Sequence, residues 1–99
     1  MTKSELGAKL GERQGWLPGK RIKIDFGADG ILLLDGVAGR VSEEDGPADT
    51  TLAISWDDLQ ALERRELDPM TAMMRGKLRI DGDMANAMQL PGLIAKLRG

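Results

Sequence analysis

Apolar and polar residues alternate along the middle of the chain with a period of two, which is typical of β-strands that bury one face. Residues 21–26 show this clearly, because Ile22, Ile24 and Phe26 alternate with charged side chains. The turn residues 27–30 join this segment to the next apolar run and predict a β-hairpin. The pattern predicts strands at residues 21–26, 31–34, 40–42, 50–55 and 77–81.

These strands should together form one apolar face, since every second residue of a strand points to the same side. The segment 40–42 is short and charged, which suits the edge of a sheet. Seven side chains are predicted to share the face that helices cover: Ile22, Ile24, Phe26, Leu52, Ile54, Leu78 and Ile80.

Helices are predicted by a period near 3.6 and by capping residues. They cover residues 4–14, 55–67, 69–75 and the segment from 83 onward. Ser55 and Asp68 are suitable N-caps, and Pro69 fits a first helical position, where its missing N–H is harmless. Pro91 must kink or divide the last helix. Because most strands precede most helices, the order predicts an α+β domain.

Methionine is concentrated in residues 68–90, which hold five of the six methionines. Met is unbranched and polarizable, so it adapts to ligands of different shape. The stripe therefore has two interpretations, the wall of a cavity or an ordinary core. The apolar sides of the helices are predicted at Trp56, Leu59, Leu62 and Leu67, at Met70, Met73 and Met74, and at Met84, Met88, Leu93, Ile94 and Leu97.

Composition favours one globular domain over residues 1–99, with 41% apolar and 30% charged side chains. The 14 basic and 16 acidic residues give a net charge of −2 and form no sustained basic stripe, so no nucleic-acid partner is expected. The longest apolar run, 31–34, is far shorter than the roughly 20 residues that span a bilayer. The chain start lacks an apolar signal-peptide centre, and a cytoplasmic location is expected.

Reactive side chains are scarce, because the sequence contains no His and no Cys. Catalysis by Ser and His and metal binding by thiolates are therefore excluded. The acidic segment 43–49 lacks the spacing of a calcium loop and is interpreted as a solvated loop. Asp57 and Asp58 are explained by their place at a helix start. The sequence predicts no catalytic residue, no metal site and no cofactor.

Residues 70–90, MTAMMRGKLRIDGDMANAMQL, together with the preceding DTTLAISWDDLQALERRELDPM, resemble the C-terminal half of the sterol carrier protein domain, the type-two, nonspecific lipid-transfer family. The N-terminal half is similar in strand order only. Asn86 departs from the family pattern, in which an apolar residue is usual. The family's core motif matches at Gly76, Lys77, Leu78, Arg79, Ile80, Gly82 and Asp83.

The resemblance implies a five-stranded, mostly antiparallel sheet that helices cover on one face, enclosing an apolar tunnel for fatty acyl chains, sterols, isoprenoids or phospholipids. On this basis lipid-binding residues are expected at Trp56, Leu59, Met70, Met73, Met74, Leu78, Ile80, Met84, Met88, Leu93 and Leu97. Arg75, Lys77 and Arg79, the basic cluster beside the methionines, have two interpretations: an exposed face of the strand, which the pattern favours, or contact with an anionic head group at the mouth of the tunnel.

The function expected from this resemblance is noncatalytic binding of a long-chain lipid, with transfer between membranes as an extension of it. Transient membrane contact is compatible with that function, and the oligomeric state is left open. The alternative is an accessory or assembly domain with a vestigial tunnel, which docks a partner protein.

Overall fold

Five strands form a mixed sheet in the computed structural model, which describes residues 2–96 except for the side chain at position 90. The strands are β1 (Arg21–Asp25), β2 (Ile31–Asp35), β3 (Arg40–Ser42), β4 (Thr50–Ile54) and β5 (Leu78–Gly82). Their order across the sheet is β3-β2-β1-β4-β5, with β1 and β4 parallel and the other neighbours antiparallel. The predicted α+β class and mostly antiparallel sheet are confirmed, with one parallel pair at the centre.

Five α-helices lie within residues 2–96, and four of them have a side-chain N-cap. They are α1 (Lys3–Glu12), α2 (Trp56–Glu63), α3 (Pro69–Met74), α4 (Met84–Ala87) and α5 (Leu90–Ala95). The side chains of Ser55 and Asp68 accept hydrogen bonds from the backbone N–H groups of Asp58 and Thr71, so both predicted N-caps are confirmed. Pro91 lies at the start of α5, and the last predicted helix is divided there.

Helix α1 begins with a capping box that the sequence prediction missed. The Thr2 hydroxyl accepts from the Glu5 N–H at 3.1 Å, and the Glu5 carboxylate accepts from the Thr2 N–H at 3.3 Å. Gly7 lets this helix approach the sheet, because a Cβ there would lie 3.1 Å from Leu32 Cδ2. The capping box and the close packing at Gly7 offset the low helix propensity of the glycines in α1.

Helix α2 ends at Glu63, four residues before its predicted end. The reason is Arg65, whose φ of 62° lies in the left-handed region and stops the helix. The chain then turns toward α3, and Leu67 is buried in the core after this turn.

The core lies between the sheet and the helices. Of the seven side chains predicted to share the covered face, six are buried and Ile80, on the edge strand β5, is partly buried, which confirms the predicted strand register. The helices complete this core with Leu6 and Leu10 of α1, Leu59 and Leu62 of α2, Ala72 of α3, Ala87 of α4, and Leu93 and Ile94 of α5.

The opposite face of the sheet is crossed by residues 43–49, which connect β3 at one edge to β4 beside β1. Lys23 Nζ lies 2.6 Å from Asp45 Oδ1, and the Arg21 N–H donates to Asp49 Oδ2 at 2.8 Å. Most of the side chains in this loop are exposed, yet Leu33 beneath it is buried. The acidic loop therefore fastens the outer face of the sheet as well as being solvated.

Candidate functional site

An apolar void of about 10 Å³ lies where α1, α2 and α5 meet the sheet. Its lining consists of aliphatic side chains only: Leu6, Leu10, Ile24, Leu34, Leu59, Leu93 and Ile94. A space of this size is at the lower limit for one water molecule, and voids with apolar walls usually stay dry.

A groove of about 320 Å³ opens on the surface next to this void. It is lined by Leu62, Arg65, Leu67, Asp68, Pro69, Pro91 and Ile94. Ile94 lines both spaces, and Leu62 follows Leu59 by one helical turn on α2. Ile94 is the one residue that the linings of the void and the groove share.

Helix α5, which carries Ile94, is a short element with limited support. It has six residues, and Gln89 at its N-cap provides no side-chain hydrogen bond. At its other end, Arg13 Nη1 donates to the Lys96 carbonyl at 2.6 Å, and Lys96 Nζ donates to the Gln14 carbonyl at 2.9 Å, both at exposed positions. Because so short a helix is not stable by itself, α5 depends on its buried Leu93 and Ile94.

The rim of the groove carries one basic side chain, that of Arg65. Its residue is exposed, and its guanidinium has no ion-pair partner within residues 2–96. Asp68 lies at the same rim, but its carboxylate caps α3 through the Thr71 N–H at 3.2 Å. The helix predicted over residues 55–67 included Arg65, because nothing in the sequence pattern indicated that the helix would end at Glu63.

The predicted lipid-binding residues are distributed over three environments. Leu59 and Leu93 line the void. Leu78 is buried, whereas Trp56, Met73 and Ile80 are partly buried against the core. The Trp56 ring packs edge-on against the Phe26 ring, with 5.5 Å between the ring centroids. The third group consists of four methionines with exposed side chains: Met70 (60%), Met74 (82%), Met84 (49%) and Met88 (68%). Leu97 lies outside the described residues.

The expectation that these four methionines form inner helix faces is wrong. In α3 the buried residue is Ala72, so Met70 and Met74 point outward on the other side of the helix. In α4 the buried residues are Asn86 and Ala87, which leaves Met84 and Met88 exposed. Both helices are so short that only one or two residues of each are buried in the core. The small side chains of Ala72 and Ala87 let these helices lie close to the sheet.

The basic cluster lies away from the groove. Lys77 and Arg79 line a shallow cleft of about 340 Å³ at the ends of β1, β4 and β5, together with Asp25, Phe26, Gly27, Ala53, Ile54, Ser55 and Gly76. Lys77 Nζ also lies 3.8 Å from Asp58 Oδ1. This cleft and the groove share no lining residue. The role of Arg75, Lys77 and Arg79 toward a head group therefore stays a prediction.

Asn86, the polar residue at the family's apolar position, is buried and paired. Its Nδ2 donates to Thr50 Oγ1 at 3.2 Å, and the Thr50 hydroxyl donates to the Asp83 carbonyl at 2.8 Å. This chain of hydrogen bonds joins α4 to β4, so the residue has a structural partner in the sheet.

Other kinds of site have little support in the described part of the chain. Residues 2–96 contain no group of three or more Asp or Glu side chains placed to hold a metal ion. None of the helices within that range is long and apolar enough to cross a membrane. The pKa of Asp35 is lowered mainly by the Ala38 N–H, and that of Asp45 mainly by Lys23. Both carboxylates fasten loops and lie apart from the groove.

Comparison with known proteins decides the family. A sequence model of the SCP-2 sterol transfer family matches residues 8–95. The chain belongs to this family. It is similar to human stomatin-like protein 1, with 40% identity over 81 residues, which is 78% of this chain and 20% of that protein. Bovine sterol carrier protein 2 is 37% identical over 59 residues, which is 60% of this chain and 11% of that protein.

The fold of this SCP-2 domain is shared with solved structures. The solution structure of sterol carrier protein 2 from Aedes aegypti, in complex with palmitate, has a TM-score of 0.74 and 22% identity, and the match covers 93% of each chain. The apo form of sterol carrier protein 2 from Yarrowia lipolytica has a TM-score of 0.60 and 18% identity, over 98% of this chain and 82% of that one. The SCP-2 domain described here spans a fifth or less of the two curated relatives named above.

Proposed function

We propose that this SCP-2 domain binds one long-chain lipid, without catalysis, with the acyl chain between α5 and the sheet. The observation that carries the proposal is the apolar void beside the groove, with Ile94 lining both spaces. The Aedes aegypti protein of the same fold is in complex with palmitate, which supports a fatty acyl chain as the ligand class. Transfer of the lipid between membranes is the finer part of the proposal.

Volume requires that α5 moves for this lipid. Ligand pockets commonly measure about 300–1,000 Å³. The groove of about 320 Å³ reaches the lower end of that range, whereas the void of about 10 Å³ does not. Displacing Ile94 joins the two spaces, and the acyl chain then replaces the contacts that this side chain gives up.

The energetic balance sets a minimum chain length. Exposing Leu93 and Ile94 would cost about 1.5–3 kcal/mol for each side chain. Each buried methylene of the ligand returns about 0.8 kcal/mol, so about eight of them offset the larger value. Fatty acids much shorter than this are expected to bind poorly, and affinity should rise with chain length beyond it.

A basic group at the groove favours an anionic head group. Arg65 lies on the rim with no ion-pair partner within residues 2–96, so it is available to a carboxylate. The cluster of Arg75, Lys77 and Arg79 is the other candidate. Arg65→Gln and the triple Gln variant of the cluster separate the two, since the site that meets the head group should lose palmitate affinity while the other keeps it.

The interior site is tested by enlarging the side chain of Ile94, which lines both the void and the groove. Ile94→Trp should weaken palmitate binding at least tenfold in isothermal titration calorimetry, because the larger ring occupies the space that the acyl chain needs. Met88→Trp is the matched control, since this side chain is exposed, and it should retain affinity within about twofold. Cooperative thermal unfolding of both variants establishes that they are folded.

Two outcomes would contradict the proposed site. A folded Ile94→Trp variant that binds palmitate like the unmodified chain would exclude the interior. Loss of binding in Met88→Trp alone would move the site to the exposed methionines. If the unmodified chain binds no fatty acid from decanoate to palmitate, the assembly-domain alternative takes its place, and the closed interior and exposed methionines are consistent with that alternative.

A further inference from the structure

Strand β5 ends the sheet on one side, and within residues 2–96 its outer edge pairs with no other strand. Its inner edge pairs with β4, from Ile54 opposite Leu78 to Thr50 opposite Gly82. An unpaired edge presents a row of backbone N–H and C=O groups that can pair with another strand. Arg79, Asp81 and Gly82 of this strand are exposed.

The charges around this strand are arranged symmetrically about Ile80. Lys77 and Arg79 precede it, and Asp81 and Asp83 follow it at the mirrored distances. Arg79 and Asp81 point to the face opposite the core, because Leu78 and Ile80 point toward the core. Within residues 2–96 neither Arg79 nor Asp81 has an ion-pair partner.

This pattern selects one register for antiparallel pairing of β5 with a second copy of itself. A two-fold axis at Ile80 places Arg79 of each copy opposite Asp81 of the other, and opposite charges in directly facing pairs are stabilising. An axis at Arg79 or at Asp81 would instead bring like charges face to face. An axis between two residues would place core-facing side chains opposite solvent-facing ones.

We propose that two copies of this chain form a two-fold dimer through β5, which makes one continuous ten-stranded sheet. Ile80, partly buried in one copy, is covered by Ile80 of the other. A two-fold axis perpendicular to the sheet keeps both helical layers on the same side, so both grooves open toward that side.

Charge exchange tests this register directly. Arg79→Asp and Asp81→Arg should each convert the dimer to a monomer, because each variant places like charges opposite one another. The double variant Arg79→Asp/Asp81→Arg restores opposite pairs and should restore the dimer. Arg40→Asp, on the other edge strand β3, is the matched control and should leave the dimer intact. The measurement is sedimentation equilibrium of the 10.7 kDa chain at low salt.

Three results would overturn the proposal. The unmodified chain could sediment as a monomer at concentrations on the order of 1 mM, where even a dimer with a Kd of about 1 mM would be half formed. The single reversals could leave a dimer in place, or the double variant, folded by circular dichroism, could fail to restore one. A monomer that binds phosphatidylserine vesicles through Arg79 would assign this edge to a membrane surface instead.

Discussion

The buried pair of Thr50 and Asn86 provides a sharp test of how α4 is held to the sheet. Thr50 is fully buried, and its hydroxyl both accepts from Asn86 Nδ2 and donates to the Asp83 carbonyl. Thr50→Val keeps the shape of the side chain and removes the hydroxyl. The Asn86 amide then loses its partner at a position that water does not reach freely.

The expected loss follows from these contacts. A buried polar group left without its partner costs about 1–3 kcal/mol. The Asp83 carbonyl belongs to an exposed residue, so water can replace part of its lost bond, and the Asn86 amide accounts for most of the cost. Thr50→Val should therefore lower the free energy of unfolding by about 1–3 kcal/mol, a large part of the roughly 5–15 kcal/mol typical of a domain.

Urea unfolding of four chains measures this effect: the unmodified chain, Thr50→Val, Asn86→Ala and the double variant. The coupling energy between the two positions should be about 0.5–1.5 kcal/mol, the usual net value of one hydrogen bond. Thr50→Ser is the control, because it keeps the hydroxyl and removes only a methyl group. Additive losses, or a Thr50→Val variant as stable as the unmodified chain, would refute the account of this pair.

Two further predictions concern the last residues of two strands, Gly82 of β5 and Asp35 of β2. Gly82 has φ of +103°, and a Cβ there would collide with the Asp49 carbonyl, whereas Gly76 has φ of +70° and open space around it. Gly76→Ala should introduce only backbone strain of about 1–3 kcal/mol. Gly82→Ala should lower the free energy of unfolding in urea by at least 1 kcal/mol more than Gly76→Ala. Equal losses in the two variants would show that the Cβ at position 82 does not collide with the Asp49 carbonyl. The pKa of the Asp35 carboxyl is held below its ordinary value of 3.8, above all by the hydrogen bond from the Ala38 N–H. The ionised carboxylate therefore stabilises the fold above pH 3.8, and this stabilisation is lost as the pH falls through the lower pKa of the folded chain. Asp35→Asn should destabilise the chain at pH 7 and progressively less in acid, and a constant difference from neutral to acidic pH would disprove this.

Much of the fold follows from local patterns in the sequence. Alternation in β1 identified Ile22 and Ile24 as core residues, because a one-residue shift would expose them and bury Arg21 and Lys23. The caps at Ser55 and Asp68 were also readable, since each acts within its own first helical turn. These features depend on neighbouring residues, so a single sequence is enough to predict them.

The family resemblance likewise came from a continuous segment, residues 49–90, and the match to the SCP-2 family over residues 8–95 confirmed it. The parallel pairing of β1 with β4 was not visible in that segment. It arises because the loop 43–49 carries the chain across the outer face of the sheet, and the partner of a strand is chosen by contacts distant in sequence.

The candidate site required the tertiary structure. The groove is built from the end of α2, the start of α3 and helix α5, and no spacing in the sequence shows that Leu62 and Ile94 meet. Methionine content indicated apolar surface, but it did not indicate the side on which that surface lies. Ala72 occupies the core side of α3 because a small residue lets the helix approach the sheet, and Met70 and Met74 are turned outward as a result.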